Sequence, residues 1–144
     1  MFLVDTDVLS ALRRPHVADP AVVAWSAETD GEDMYISAMT VFELELGVRR
    51  CERKDAIQGE ILRTWLSRNL LPKFQDRILP MDAAVAQRCA ALHIPDPRPQ
   101  RDGFIAATAL VHGLIVVTRN VRDYTPMGVR FFNPWEIANP DPER

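Results

Sequence analysis

The stretch RDGFIAATALVHGLIVVT, residues 101–118, decides the fold. Asp102 opens a helical run through GFIAATALVH, which stops at Gly113, because glycine readily takes the left-handed conformation that closes a helix. The following LIVVT is short, β-branched and apolar on both faces, as a buried strand must be. A helix that feeds straight into a buried strand is the repeating unit of an α/β sheet.

The same alternation extends towards the N-terminus. Residues 2–4 (FLV) read as a first buried strand that stops at Asp5. Residues 21–28, after Pro20, read as a helix, and residues 34–36, after the turn residues Asp30 and Gly31, as a second strand. Over residues 38–50, Val41, Leu44 and Val48 recur at helical spacing, with Arg49, Arg50, Arg53 and Lys54 at the C-terminal end, where cations suit the helix dipole. Residues 56–71, with Ile57, Ile61, Trp65 and Leu66 in an amphipathic pattern, are the second arm of a helix pair, which Pro72 is expected to end. A third strand is expected at 77–79, then a helix capped by Asp82 that runs to about His93, then IPDPRPQR as a stiff surface connection. Beyond LIVVT come the polar turn TRNVRDY, a last strand at 129–132, and a polar tail entered through Pro134. Neither repeats nor low-complexity tracts interrupt the pattern. Its sum is an α/β sandwich on a mainly parallel sheet, which places ligands at the carboxyl ends of the strands.

The 144 residues, 47% hydrophobic and 26% charged, suffice for one domain with a core of its own. The domain is expected over residues 1–136, with a tail at 137–144. Cys51 and Cys89 have neither a CxxC pair nor zinc-ligand spacing and are expected to be buried thiols. MFLVDTDVLS meets two acids within seven residues, unlike a signal peptide, and no apolar run is long enough to span a membrane, so the expected location is the cytoplasm. A net charge of -3 argues against a broad basic surface for nucleic acid, but not against an enzyme whose acids are offset by metal ions.

Three acids fall where the strand-end rule puts a site: Asp5 after the first strand, Asp102 at a helix start, and Asp123 in the turn after LIVVT. Glu43, early in the helix after the second strand, can reach the same edge. Such hard oxygen ligands suit Mg²⁺ or Mn²⁺, which can activate water and offset charge on a phosphate. Each acid also has a plainer reading: Asp5 and Asp102 as helix N-caps, Glu43 as a solvated helix residue, Asp123 as a turn residue. Asp5 and Asp7 further form the DxD of haloacid-dehalogenase phosphatases, although neither Lys54 nor Lys73 follows a strand as those enzymes require. His16, His93 and His112 lack metal-ligand spacing, and no GxSxG elbow or glycine-rich phosphate loop is present.

FLVDTDVLS, ISAMTVFELELGVRR, RDGFIAATALVHGLIVVTRNVRDY and FFNPWE, taken in order, resemble the PIN-domain ribonucleases of the VapC family, with a C-terminal end similar to its FitB-like branch. The resemblance implies a three-layer α/β/α sandwich and a core metal set of Asp5, Glu43 and Asp102, completed by Asp123 or Asn120. The position after TR, often acidic in the family, is Asn120 here, and the acid follows at Asp123. Asp7, where the family commonly has Asn, is expected to add negative charge or an outer contact. Thr6, Ser37 and Thr118 are expected to orient ligands or waters. The implied reaction is hydrolysis of phosphodiester bonds in single-stranded or loop regions of RNA by a metal-activated water, with Arg98, Arg101, Arg119 and Arg122 as candidates for holding the RNA backbone. Further implied are a VapB-type antitoxin that lies in a groove, for which the helix pair over 39–71 with Trp65 and Leu66 is a candidate wall, and a homodimer within a larger toxin–antitoxin assembly. A PIN fold that binds without cutting is the rival reading.

Overall fold

The FLV run forms strand β1 (Phe2–Val4), at the centre of a five-stranded sheet that the computed structural model describes within residues 1–136. The expected tail at 137–144 lies outside the described residues. After β1 come helix α1 (Thr6–Leu12), which the hydrophobic pattern had not revealed, and α2 (Pro20–Glu28). Strand β2 (Met34–Ser37) leads into the long helix α3 (Ala38–Lys54), then α4 (Ala56–Thr64), a π-helical turn over Trp65–Leu70, and the short α5 (Leu71–Lys73). The remainder is β3 (Ile78–Leu79), α6 (Ala83–Leu92), α7 (Gln100–His112), β4 (Ile115–Val117), α8 (Val121–Tyr124) and β5 (Phe131–Phe132).

The strands lie in the order β3-β2-β1-β4-β5, and every pairing is parallel. Alternation along a strand sends successive side chains to opposite faces, so a sheet covered on both sides has two cores. Phe2, Val4, Ile115 and Val117 pack with Val8, Val22, Trp25, Leu44 and Leu66 on one face. Leu3 and Val116 pack with Ile105, Ala106, Ala109 and Tyr124 on the other. Helix α6 covers α7 through Val85 and Cys89 against Ala107. Cys51 is only half-buried, whereas Cys89 is buried as expected.

Three expectations about helices need correction. Helix α3 runs on to Lys54 and hands over directly at Asp55, whose carboxylate caps α4 by accepting the N–H groups of Ile57 and Gln58 at 3.1 Å each. The second arm is not one helix ended by Pro72. The widened turn at Trp65–Leu70 lets the chain continue, and Pro72 sits inside α5, where its missing N–H breaks no ladder. Ile57 and Ile61 do not pack inward either; they are 74% and 49% exposed. Helix α4 instead approaches α3 through Gly59, where a Cβ would stand 2.5 Å from Glu52 Cα. Arg63 braces the same pair, donating to both oxygens of Glu45 at 2.7 Å.

Candidate active site

The backbone N–H of Asp5 donates to the Val117 carbonyl at 2.9 Å, which carries the β1–β4 ladder one residue further and anchors Asp5 at the carboxyl edge of the sheet. Its Oδ1 accepts the Thr6 N–H at 2.7 Å as the cap of α1. Its Oδ2 accepts the Thr118 hydroxyl at 2.8 Å and the Tyr124 hydroxyl at 3.1 Å. Asp5 is thus both the helix cap of the plainer reading and the hub of a cluster.

Glu43 arrives from the first turns of α3. Its Oε1 accepts the Thr6 hydroxyl at 2.8 Å, and Thr6 lies 3.3 Å from the Thr40 hydroxyl. Ser37 caps α3 by accepting the Thr40 N–H at 3.1 Å, so its contact with the acids runs through Thr40 and Thr6. Asp102 stands in the first turn of α7, whose cap is Pro99; the reading of Asp102 as an N-cap therefore fails. Its Oδ1 accepts the Tyr124 hydroxyl at 3.4 Å and its Oδ2 the Asn120 side-chain amide at 3.1 Å. The same amide donates to Asp123 Oδ2 at 2.7 Å, and Asp123 lies in α8 rather than in a turn. Asp7 accepts the Arg119 N–H at 3.0 Å through Oδ2, while its buried Oδ1 has no partner.

Burial is the leading cause of the rise in Asp5, Asp7, Glu43 and Asp102, and repulsion from neighbouring carboxylates adds to it in Asp7, Glu43 and Asp102. Burial raises Asp5 above the usual carboxylate range, against the bonds from Thr118, Thr6 and Tyr124. Burial, then the Asp5 charge, pushes Asp7 up to about 6. Glu43 is raised by burial, with Asp5 adding to the rise and Thr6 opposing it. Asp102 goes up to about 7, through burial first, then Asp5 and Asp123. Acids confined in this way call for compensating positive charge. The donors on offer are all oxygens, which suits a hard divalent cation. Among the described residues no three of these acids converge tightly enough to grip an ion directly, because hydroxyls and the Asn120 amide stand between them. A cation that keeps several of its waters matches that spacing.

Of the expected arginines, two stand beside the acids. Arg101 Nη1 is 3.9 Å from Glu43 Oε2 and its guanidinium lies over the Phe42 ring at 5.2 Å. Arg119 lies over the Trp135 ring at 5.2 Å. Arg122 is exposed on α8. Arg98 turns away to the end of α6, where its N–H donates to His93 Nδ1 at 3.1 Å and its Nε to the Leu92 carbonyl at 3.3 Å. Sequence reasoning missed Tyr124 and Thr40. A signal for Tyr124 existed, since a buried tyrosine hydroxyl needs a partner and this one follows directly on Asp123.

The model of the PIN-domain family matches residues 2–124. This chain belongs to the PIN-domain family. Its PIN domain is similar to Toxin FitB of Neisseria gonorrhoeae, 39% identical over 140 residues that cover 94% of this chain and 99% of that protein. It is also similar to VapC ribonuclease Y4jK of Sinorhizobium fredii, 33% identical over 150 residues that cover 96% of this chain and 100% of that protein. Among solved structures, the crystal structure of FitAcB from Neisseria gonorrhoeae superposes with a TM-score of 0.85 at 38% identity, covering 94% of this chain and 99% of that one. The phosphatase reading of Asp5 and Asp7 is set aside on this membership. In the PIN fold seen here, moreover, both Asp5 oxygens are engaged by Thr6, Thr118 and Tyr124, and the side chain is only 5% exposed.

Proposed function

We propose that this PIN domain is a metal-dependent endoribonuclease and the toxin of a VapBC-type toxin–antitoxin pair, with Asp5, Glu43, Asp102 and Asp123 as the metal-holding acids. The observation that carries the reading is that a single buried tyrosine hydroxyl links Asp5 to Asp102, while Thr6 links the same corner to Glu43. A relative named as a VapC ribonuclease and a match over 99% of Toxin FitB support it.

Mg²⁺ is the metal we favour, with Mn²⁺ as the close substitute, since both take carboxylate and water oxygens. When bound, such a cation supplies an acidified water and neutralises charge developing on the phosphate. With the cation bound, Asp5 and Asp102 would supply the negative charge that faces it, and Tyr124 holds Asp5 in place beside Asp102. Asn120, with its amide between Asp102 and Asp123, orients both, so Asp123 completes the set and Asn120 serves as its clamp. Asp7 and Thr118 hold the β4 end against α1. Arg101 and Arg119 approach the RNA backbone.

A VapB-type antitoxin is the proposed partner, in keeping with solved relatives that are toxin–antitoxin complexes. Leu66 is in the core and cannot line the antitoxin's groove. Trp65 does border an open cleft of about 520 Å³ with Leu9, Leu12, Val23 and Phe74. A homodimer, combined with antitoxin in a larger assembly, is the proposed solution form. No helix among the described residues is long and apolar enough to cross a membrane, in keeping with a cytoplasmic toxin.

The test is cleavage of total bacterial RNA by purified protein with Mg²⁺ or Mn²⁺, then with chelator, beside an Asp102→Asn control. Discrete cuts that need both metal and Asp102 are expected. Absence of cleavage with either metal would return the fold to the binding-module reading.

A further inference from the structure

Arg101 stands where a helix does not favour a cation. It is the second residue of α7, beside Asp102, and the positive end of the helix dipole lies there. Two contacts hold its guanidinium across to α3: it lies over the Phe42 ring at 5.2 Å, and Nη1 is 3.9 Å from Glu43 Oε2. Phe42 is 50% exposed, so its ring serves this stack more than the core.

The two Glu43 oxygens differ in what they meet. Oε1 accepts the Thr6 hydroxyl at 2.8 Å, whereas Oε2 faces the Arg101 charge at a separation too long for a hydrogen bond. Oε2 is therefore partly neutralised yet keeps its lone pairs. Burial is the first cause that raises Glu43, and the Arg101 charge works against it. The pair stands partly in solvent, with side-chain exposures of 48% for Arg101 and 22% for Glu43, and pairs of that kind contribute little to stability. A contact that weak can hold a carboxylate charge in the metal-free chain and still give way to a divalent ion, whereas breaking a fully buried pair would leave a charge stranded.

We propose that Arg101 is an internal counter-cation of Glu43, held in place by Phe42, and that a divalent cation at the acids binds in competition with it, so that this ion pair sets how much metal the site requires. The inference rests on the reading of Glu43 as a metal-holding acid. It gives Arg101 a task before any RNA is bound, and it ties release of the guanidinium to occupation of the site by metal.

The test is binding of Mn²⁺ or Mg²⁺ to the purified protein without RNA, measured by isothermal titration calorimetry at one pH, with thermal unfolding at a limiting Mg²⁺ concentration as the second readout. Arg101→Gln is expected to bind either cation about threefold more tightly than wild type, the range of a partly exposed ion pair. It should also gain more melting temperature from the same limiting Mg²⁺, because the ion binds only the folded acids. Phe42→Leu, which removes the ring, should shift affinity the same way by less. Both side chains are about half-exposed, so neither change disturbs the core. Arg119→Gln is the control: it removes one positive charge at the β4 end, where the guanidinium lies over Trp135, and should alter affinity less. An Arg101→Gln protein that binds metal as wild type does, or more weakly, overturns the competition, and the weaker binding would make Arg101 a support that aims Glu43. Tightening of equal size in Arg119→Gln overturns it too, since the effect would then belong to the overall field of the chain. If the wild type binds neither cation, the metal reading itself fails and this inference goes with it.

Discussion

The Tyr124 hydroxyl donates to Asp5 Oδ2 at 3.1 Å across 119 residues of sequence, from a side chain with no solvent exposure. The Tyr124 hydroxyl oxygen also lies 3.4 Å from Asp102 Oδ1, so a group whose single proton goes to Asp5 stands between two acids that repel each other. Tyr124→Phe keeps the ring in its core position and removes only this link. A hydrogen bond to a charged acceptor is worth about 1.5–3 kcal/mol, so the cleavage rate is expected to fall about tenfold or more while the circular dichroism spectrum stays native. A kinetic comparison at saturating Mg²⁺ checks it. An unchanged rate would mean that Tyr124 serves packing alone.

The resemblance leaves the fourth metal-holding position to Asn120 or Asp123, and under the proposed function the two differ in chemistry. A carboxylate can bind a cation directly; the Asn120 amide, with its N–H groups spent on Asp102 and Asp123, positions the acids. Asp123→Asn is therefore expected to raise the Mg²⁺ concentration for half-maximal cleavage about tenfold or more, the size usual for loss of a supporting metal contact. Asn120→Asp, which puts a third charge between the two acids, should lower activity at limiting Mg²⁺ and recover it at high Mg²⁺. Metal titrations of both variants decide. Equal metal dependence of Asp123→Asn and wild type would move the fourth ligand to position 120.

How much of this was legible beforehand depends on whether the cause is local. Asp5 at a strand end, Gly113 with φ of 68°, and Asp82 accepting the Val85 N–H are set by residues within a turn of one another, and the sequence pattern locates all three. The mainly parallel sheet follows from apolar runs with helices between them, whereas the strand order β3-β2-β1-β4-β5 does not, because it is set by which strands the helical crossovers bring together. The π-helical turn at Trp65–Leu70 and the outward faces of Ile57 and Ile61 do not follow, because they depend on how α4 meets α3 at Gly59, a contact with no periodic signature. Within the site the acids were legible by position, whereas the Tyr124 bridge, the Thr6–Thr40 link and the departure of Arg98 towards Leu92 are tertiary events.

Gly59 offers a test of that helix meeting. Its backbone dihedrals suit any residue within α4, yet a Cβ would meet Glu52 Cα at 2.5 Å and Glu52 N at 2.9 Å, and backbone cannot yield as a flexible side chain can. Gly59→Ala would add about 1 kcal/mol of helix propensity in a free helix. Here the overpacking cost of about 1–3 kcal/mol outweighs it. Thermal unfolding is expected at a lower temperature than wild type. A rise in melting temperature would show that α3 and α4 separate at no cost.

The raised acids also make metal-free stability depend on pH in a direction opposite to that of most carboxylates. Asp102 at about 7 and Asp7 at about 6 hold protons in the folded chain that the unfolded chain has released above about pH 4. Their contribution is therefore full below that ordinary value and is lost as pH climbs through 6 and 7. Glu45, held down to about 2, first by its bonds from Arg63, works the other way, but its window lies below pH 4.5 and leaves the interval from 5 to 8 to the raised acids. In chelator, the protein is expected to melt higher at pH 5.5 than at pH 8. Asp102 is half-exposed, so solvent screening reduces the loss to about 1–2 kcal/mol, or on the order of 5 °C. Mg²⁺ should restore stability at pH 8, because it binds only the folded acids. Asp102→Asn should melt higher than wild type in chelator at pH 8 and gain less from Mg²⁺, even as it abolishes cleavage. Calorimetry of the two proteins at both pH values, with and without Mg²⁺, tests all of this at once. A metal-free wild type that is more stable at pH 8 than at pH 5.5 would show that these carboxylates are already compensated within the chain, and a bound cation would then have no unmet charge to answer.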